Sequence, residues 1–145
     1  MYRTIKQDIK IGIQSEDEVI HHLEKIIGCP LTKTANQYDS MDFKGDKGYV
    51  ELKTRLWTPY GQKVNHDTYP TTIVSQHKII DAKKIVESGG EVYFVFRFAD
   101  GLYYWCYCQN DFEIRDQYRY RDGQQHNCGK HIHIPITELL YFSGS

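Results

Sequence analysis

Asp42, Glu51 and Lys53 are the residues around which a reaction could be organised. In Tyr49-Val50-Glu51-Leu52-Lys53 the character alternates, and residues two apart in a strand share a face, so Glu51 and Lys53 project together while Val50 and Leu52 face the other way. Gly45-Asp46-Lys47-Gly48 is turn chemistry, so the spacing predicts a hairpin with arms over 41–44 and 49–55. The turn folds Asp42 back towards Glu51. Asp39 falls in the polar approach, outside the β-prone arm. Two carboxylates beside an amine suit a hard divalent cation, because Mg²⁺ prefers oxygen ligands, retains several waters, and binds through one or two carboxylates plus a substrate phosphate. The chemistry indicated is that of a phosphodiester.

The stretch resembles the active-site hairpin of the PD-(D/E)XK nuclease superfamily, in which an Asp begins the second core strand and an E-x-K triplet lies on the third. The resemblance makes Asp42 the first acid and Glu51 with Lys53 the triplet; Met41 stands where the motif has its proline. It implies that Asp42 and Glu51 hold Mg²⁺ or Mn²⁺, with the backbone carbonyl of Leu52 as a further ligand, and that the metal activates water and shields the phosphate. Lys53 would then orient the attacking water or stabilise the pentavalent transition state.

Other elements must position these groups. Ser15-Glu16-Asp17-Glu18 is a capping-box pattern, which predicts a helix starting at Ser15, with Val19, Ile20, Leu23, Ile26 and Ile27 at helical spacing and Gly28 with Pro30 as its end. Residues 1–14, alternating loosely around Ile5, Ile9, Ile11 and Ile13, read as an edge strand or an ordered arm. Glu16 heads the apolar stripe and points inward, or else serves the helix dipole like its neighbours; Glu18 aligns with the solvated side. The superfamily often carries a glutamate on the first core helix that reaches the metal, and this resemblance favours Glu16.

Residues 30–35 have the composition of a first core strand, and 55–68 form a polar connection in which Lys63, His66 and Tyr69 are either substrate contacts or solvated loop residues. A short β-prone run, Thr71 to Val74, precedes a helix capped by Ser75, carrying Ile79, Ile80, Ala82, Ile85 and Val86, and closed by Gly89-Gly90. Gln76 and Lys78, in its first turn, either contact the active site or a phosphate, as the resemblance implies, or lie on a solvated face. Glu91 to Phe98 reads as a central strand, Asp100-Gly101 as a hairpin turn, and Leu102 to Cys108 as the return. After an irregular polar region over 109–130, His131 to Ile136 forms a short strand that Pro135 places at an edge or ends, and Thr137 to Leu140 fits one helical turn.

Tight turns give antiparallel pairs, while a helical crossover between the strands at Glu51 and Phe94 demands a parallel, right-handed connection. The fold class is therefore α/β, an α+β mixed sheet flanked by helices. Its order is that of the αβββαβ restriction-endonuclease-like core, over about 12–108, with extra C-terminal strands in 109–145 as a family-specific addition.

Arg55 continues the parity of Glu51 and Lys53 and can hold a neighbouring phosphate. Arg115, Arg119, Arg121 and Lys130, interleaved with Tyr118 and Tyr120, form either a nucleic-acid strap or a solvated loop, since Asp111, Glu113, Asp116 and Asp122 dilute their charge. Cys106, Cys108 and Cys128 with His131 and His133 have some character of a zinc site, but Cys-x-Cys is not the common knuckle spacing, and small buried cysteines are the preferred reading. Asn65-His66-Asp67 resembles a fragment of a His-metal nuclease and has no second ligand set in the sequence.

A chain of 145 residues fits one domain, and a formal charge of −1 confines any nucleic-acid contact to a local patch. No apolar run is long enough to span a membrane and no apolar h-region begins the chain, so the expected compartment is the cytoplasm, without a disulfide framework. The leading reading is a metal-dependent deoxyribonuclease. The alternatives are a catalytically inactive nucleic-acid-binding or assembly module on the same fold, and a protein-interaction domain. Resemblance alone suggests a homodimer.

Overall fold

The computed structural model describes residues 5–34, 41–107, 112–121 and 123–143, with side chains described except at 5–15 and 119–121. Helix α1 spans Ile5–Ile27, so Ser15 lies within it and does not cap it. The correction has a physical reason: Ile5, Ile9 and Ile13 recur every fourth residue, a helical period, and no proline interrupts 5–27. The predicted end is correct. Gly28 adopts φ 83°, and its N–H donates to Glu24 O at 2.8 Å.

The chain continues through β1 (Thr32–Lys33), β2 (Phe43–Lys44) and β3 (Gly48–Arg55). Asp39 lies outside the described residues. Next come β4 (Thr71–Ser75), α2 (Gln76–Glu87), β5 (Glu91–Phe98) and β6 (Gly101–Cys106). Ser75 occupies the N-cap position of α2 with extended backbone, yet its side chain makes no capping bond. The last elements are β7 (Glu113–Arg121), β8 (Gln124–Pro135), a 3₁₀ turn (Ile136–Glu138) and β9 (Leu140–Tyr141).

Among the described residues one sheet runs in the order β1-β2-β3-β5-β6-β9 and a second in the order β4-β8-β7. β3 and β5 are parallel and joined through α2, as the crossover rule requires, while β2 with β3 and β5 with β6 are antiparallel. This mixed sheet with two helices is a restriction-endonuclease-like α+β arrangement.

The region expected to be irregular is instead a long hairpin, paired from Glu113↔His133 to Arg121↔Gln124, with a register irregularity between Asp116 and Tyr118. Both faces of its outer part carry polar residues. The hydrophobic alternation that marks a half-buried strand is therefore missing, although Ile114, Tyr118 and Tyr120 favour extended backbone. Pro135 ends β8, one of the two positions expected for it.

The β3–β5 pair is covered on both faces. Val50, Leu52 and Val95 pack with Val19, Leu23 and Ile27 of α1, whereas Phe94 and Phe96 join Val74, Ile79, Ala82 and Ile134 on the α2 side. Since Glu51 is in register with Phe94 and Lys53 with Phe96, the acid and amine emerge on the α2 side. Gly48 makes this parallel register possible: it has φ 154°, and a Cβ there would stand 1.9 Å from Glu91 O. Gly48→Ala should therefore cost roughly 2–4 kcal/mol, read as a lower urea midpoint; an unchanged midpoint would contradict the close approach.

Candidate active site

The hairpin brings its two acids together through the backbone as well as the side chains. The Asp42 N–H donates to Glu51 Oε1 at 3.1 Å, and the Leu52 N–H donates to Asp42 Oδ2 at 2.9 Å. Each carboxyl is thus held by the other's strand. Glu51 is only 2% exposed, a position that a charged side chain tolerates when it is paired. Its partners are ammonium groups: Lys53 Nζ lies 3.0 Å and Lys78 Nζ 3.2 Å from Glu51 Oε2. Lys78 comes from the first turn of α2 and is turned towards Glu51. Gln76 is half-buried in the same turn.

Glu16 approaches from α1. Its side chain is 22% exposed, lies 3.8 Å from Lys33 Nζ, and hydrogen-bonds the Asp42 carboxyl. Lys33 also pairs with Asp17. Burial raises the Glu16 pKa, opposed by Lys33 and by the bond with Asp42. Asp42 is affected more: burial, then the Glu51 charge, pushes it up to about 8. The three carboxyls form a cluster in which the lysines serve Glu51 and Glu16, while Asp42 faces acids.

That electrostatic deficit fits a hard divalent cation. The donor set is oxygen only, and among the described residues Asp42 is the carboxyl of the three with no cationic partner. Asp42, Glu51 and Glu16 are the side chains that would hold such a cation. Leu52 lies between them, its N–H already bound to Asp42.

A cation must displace the Asp42 proton, which gives a pH prediction. Mg²⁺ affinity should rise with pH by up to about tenfold per unit and level off above about 8, as measured by titration calorimetry. Metal-free stability should move oppositely. A carboxyl whose folded pKa lies above its ordinary 3.8 holds more protons when folded, so stability falls as pH rises from about 4 to about 8. A pH-independent affinity would contradict a proton held on Asp42 up to about pH 8.

Other residues singled out in the sequence are more dispersed. Arg55 is half-buried at the end of β3, where Nη1 donates to the Thr54 carbonyl at 3.3 Å. Arg119 and Arg121 lie on β7 opposite His126 and Gln124, and their side chains are outside the described residues. Within the expected strap, Arg115 pairs with Glu113 at 3.2 Å and Lys130 with Asp116 at 3.7 Å. Glu18 pairs with Arg97 at 2.8 Å.

Among the described residues the cysteine and histidine candidates for zinc form no metal-binding group. Cys106 is on β6 and Cys128 on β8, in different sheets, while Cys108 lies outside the described residues. His133 Nδ1 instead accepts from Arg115 Nη2 at 3.1 Å. Sequence reading missed Asp100 as a possible ligand, because Asp100-Gly101 is fully accounted for as a turn. It lies beside His66 and Asp67.

An αβββαβ order once β4 is assigned to the second sheet, a parallel pair joined through the second helix, and a D…E-x-K hairpin backed by a first-helix glutamate define a PD-(D/E)XK nuclease-like protein. More narrowly, a family model described as phage putative PDDEXK endonuclease matches residues 6–141, and the chain belongs to that family. Membership implies nuclease activity on a nucleic-acid substrate. No curated protein and no solved structure matches the chain. Among the described residues no helix is long and apolar enough to cross a membrane.

Proposed function

We propose that the protein is a Mg²⁺- or Mn²⁺-dependent deoxyribonuclease acting as an endonuclease, with Asp42, Glu51 and Lys53 as its catalytic residues and Glu16 assisting. The observation that carries this reading is the pair of bonds from the Asp42 N–H to Glu51 and from the Leu52 N–H to Asp42, beside Lys53, which fixes two oxygen donors and an amine before substrate arrives. When bound, the cation supplies Lewis-acid polarisation of the phosphate and lowers the pKa of water.

The remaining work falls to side chains. Lys53, 25% exposed, has one contact on Glu51 and further N–H groups to orient the attacking water or bind a non-bridging phosphate oxygen. Lys78, 17% exposed, restrains the other side of Glu51 Oε2 from a helix N-terminus, where negative charge is favoured. Glu16 orients Asp42 through their hydrogen bond. Arg55, Gln76, Arg119 and Arg121 are proposed contacts to the DNA backbone, and the Leu52 carbonyl a proposed further ligand. The whole chain is proposed to act as one nuclease domain.

The test is incubation of the purified protein with plasmid, single-stranded and branched DNA in Mg²⁺, in Mn²⁺ and in chelator. Cleavage of at least one substrate, abolished by chelator, is expected. Metal-independent binding without cleavage of any of them would instead favour a non-catalytic module.

A further inference from the structure

The connection after β3 carries a constellation that shares no residue with the carboxyl cluster. His66, Asp67 and Asp100 each offer a ligand atom, and these atoms lie within 4.8 Å of one another. Two belong to the loop and the third to the β5–β6 turn. The backbone already holds these segments together: the Ala99 N–H donates to Val64 O at 2.8 Å, and the His66 N–H to Asp100 Oδ1 at 2.9 Å.

The imidazole is equally constrained. His66 Nδ1 donates to Asp100 Oδ2 at 2.6 Å, and the ring stacks on Tyr103 with centroids 4.4 Å apart and planes 15° from parallel. An ion shared with Asp100 must sit at this nitrogen, taking the place of the Nδ1 proton while Nε2 carries the ring's remaining one. A His–Asp bond by itself would only staple a loop to a turn. Asp67 adds a third donor that such a staple does not need, and it is exposed and free to change rotamer.

We infer that His66, Asp67 and Asp100 form a second cation site, selective for an imidazole-accepting divalent metal of the Zn²⁺ and Co²⁺ class. Mixed nitrogen and carboxylate donors favour such ions over Mg²⁺, which prefers oxygen and binds reluctantly without its waters. Metal–ligand bonds of about 2.0–2.2 Å set donor atoms roughly 3–3.5 Å apart, a spacing reached by a slight widening of the 2.6 Å His66–Asp100 contact and closure of the exposed Asp67 side chain. Its consequence is mechanical. An ion there fastens the loop that leaves the catalytic strand at Arg55 to the turn between β5 and β6.

The test uses the full chain, stripped with chelator and titrated with Co²⁺ in the presence of excess Mg²⁺, following visible absorbance and calorimetric heat. The wild-type protein should take up Co²⁺ with absorption bands typical of a nitrogen- and oxygen-ligated ion. His66→Ala and Asp67→Asn should each weaken uptake by roughly tenfold or more and alter the bands. Asp67→Asn is an isosteric change at an exposed residue, so it keeps the test decisive if His66→Ala does not fold. Wild-type affinity and spectrum retained by Asp67→Asn, or no Co²⁺ uptake by the wild-type chain, would overturn the site.

Discussion

Glu51→Ala should reduce metal-dependent DNA cleavage by roughly 10³-fold or more, equivalent to about 4 kcal/mol of transition-state stabilisation. The change removes a proposed oxygen donor for the cation and the anchor shared by Lys53 and Lys78. Both functions are lost together, which is why the effect should exceed that of either lysine alone. Folding should survive, because both ammonium groups are partly exposed and regain water when released. Lys53→Ala separates the roles: Mg²⁺ binding should persist while kcat falls by roughly 10²-fold or more. Comparable cleavage by wild type and by both variants would remove the proposed mechanism.

Asp42→Asn is expected to move activity and stability in opposite directions. Cleavage and Mg²⁺ affinity should fall as sharply as for Glu51→Ala. The metal-free protein, however, should gain about 1–2 kcal/mol above pH 8, measured by denaturant unfolding, as active-site substitutions that relieve repulsion commonly do. Asparagine keeps an acceptor for the Leu52 N–H and places an amide donor, instead of a second charge, beside Glu51. The sign follows from the raised Asp42 pKa of about 8. Below about pH 7 Asp42 already holds its proton and resembles asparagine, so the gain should shrink there. Equal destabilisation at both pH values would show that the carboxyl cluster is not a site of mutual repulsion.

Much of this arrangement was legible from residue types alone. The alternation around Glu51 and Lys53, the Gly45 to Gly48 turn and the Asp100-Gly101 turn are local signals, and each specified a backbone conformation that tertiary packing retained. For Glu16 the spacing left two readings open, inward or towards the helix dipole, and only the family resemblance favoured the inward one; it lies 3.8 Å from Lys33 Nζ. The helix start was misread because Ser15-Glu16-Asp17-Glu18 satisfies a capping rule that a continuing apolar stripe overrides. The β7–β8 hairpin was hidden by its two solvated faces, which leave no period to detect. Lys33 beside Glu16 and Asp100 beside His66 depend on approaches between distant segments, and no spacing rule reports those.

The central claim is that Asp42, Glu51 and Glu16 form the cation site of a nuclease, and anomalous diffraction from crystals soaked in Mn²⁺ addresses it most directly. The predicted result is a peak within coordination distance of Asp42 and Glu51 that disappears in Asp42→Asn crystals. Mn²⁺ density elsewhere on the molecule with none between those two carboxylates would contradict it.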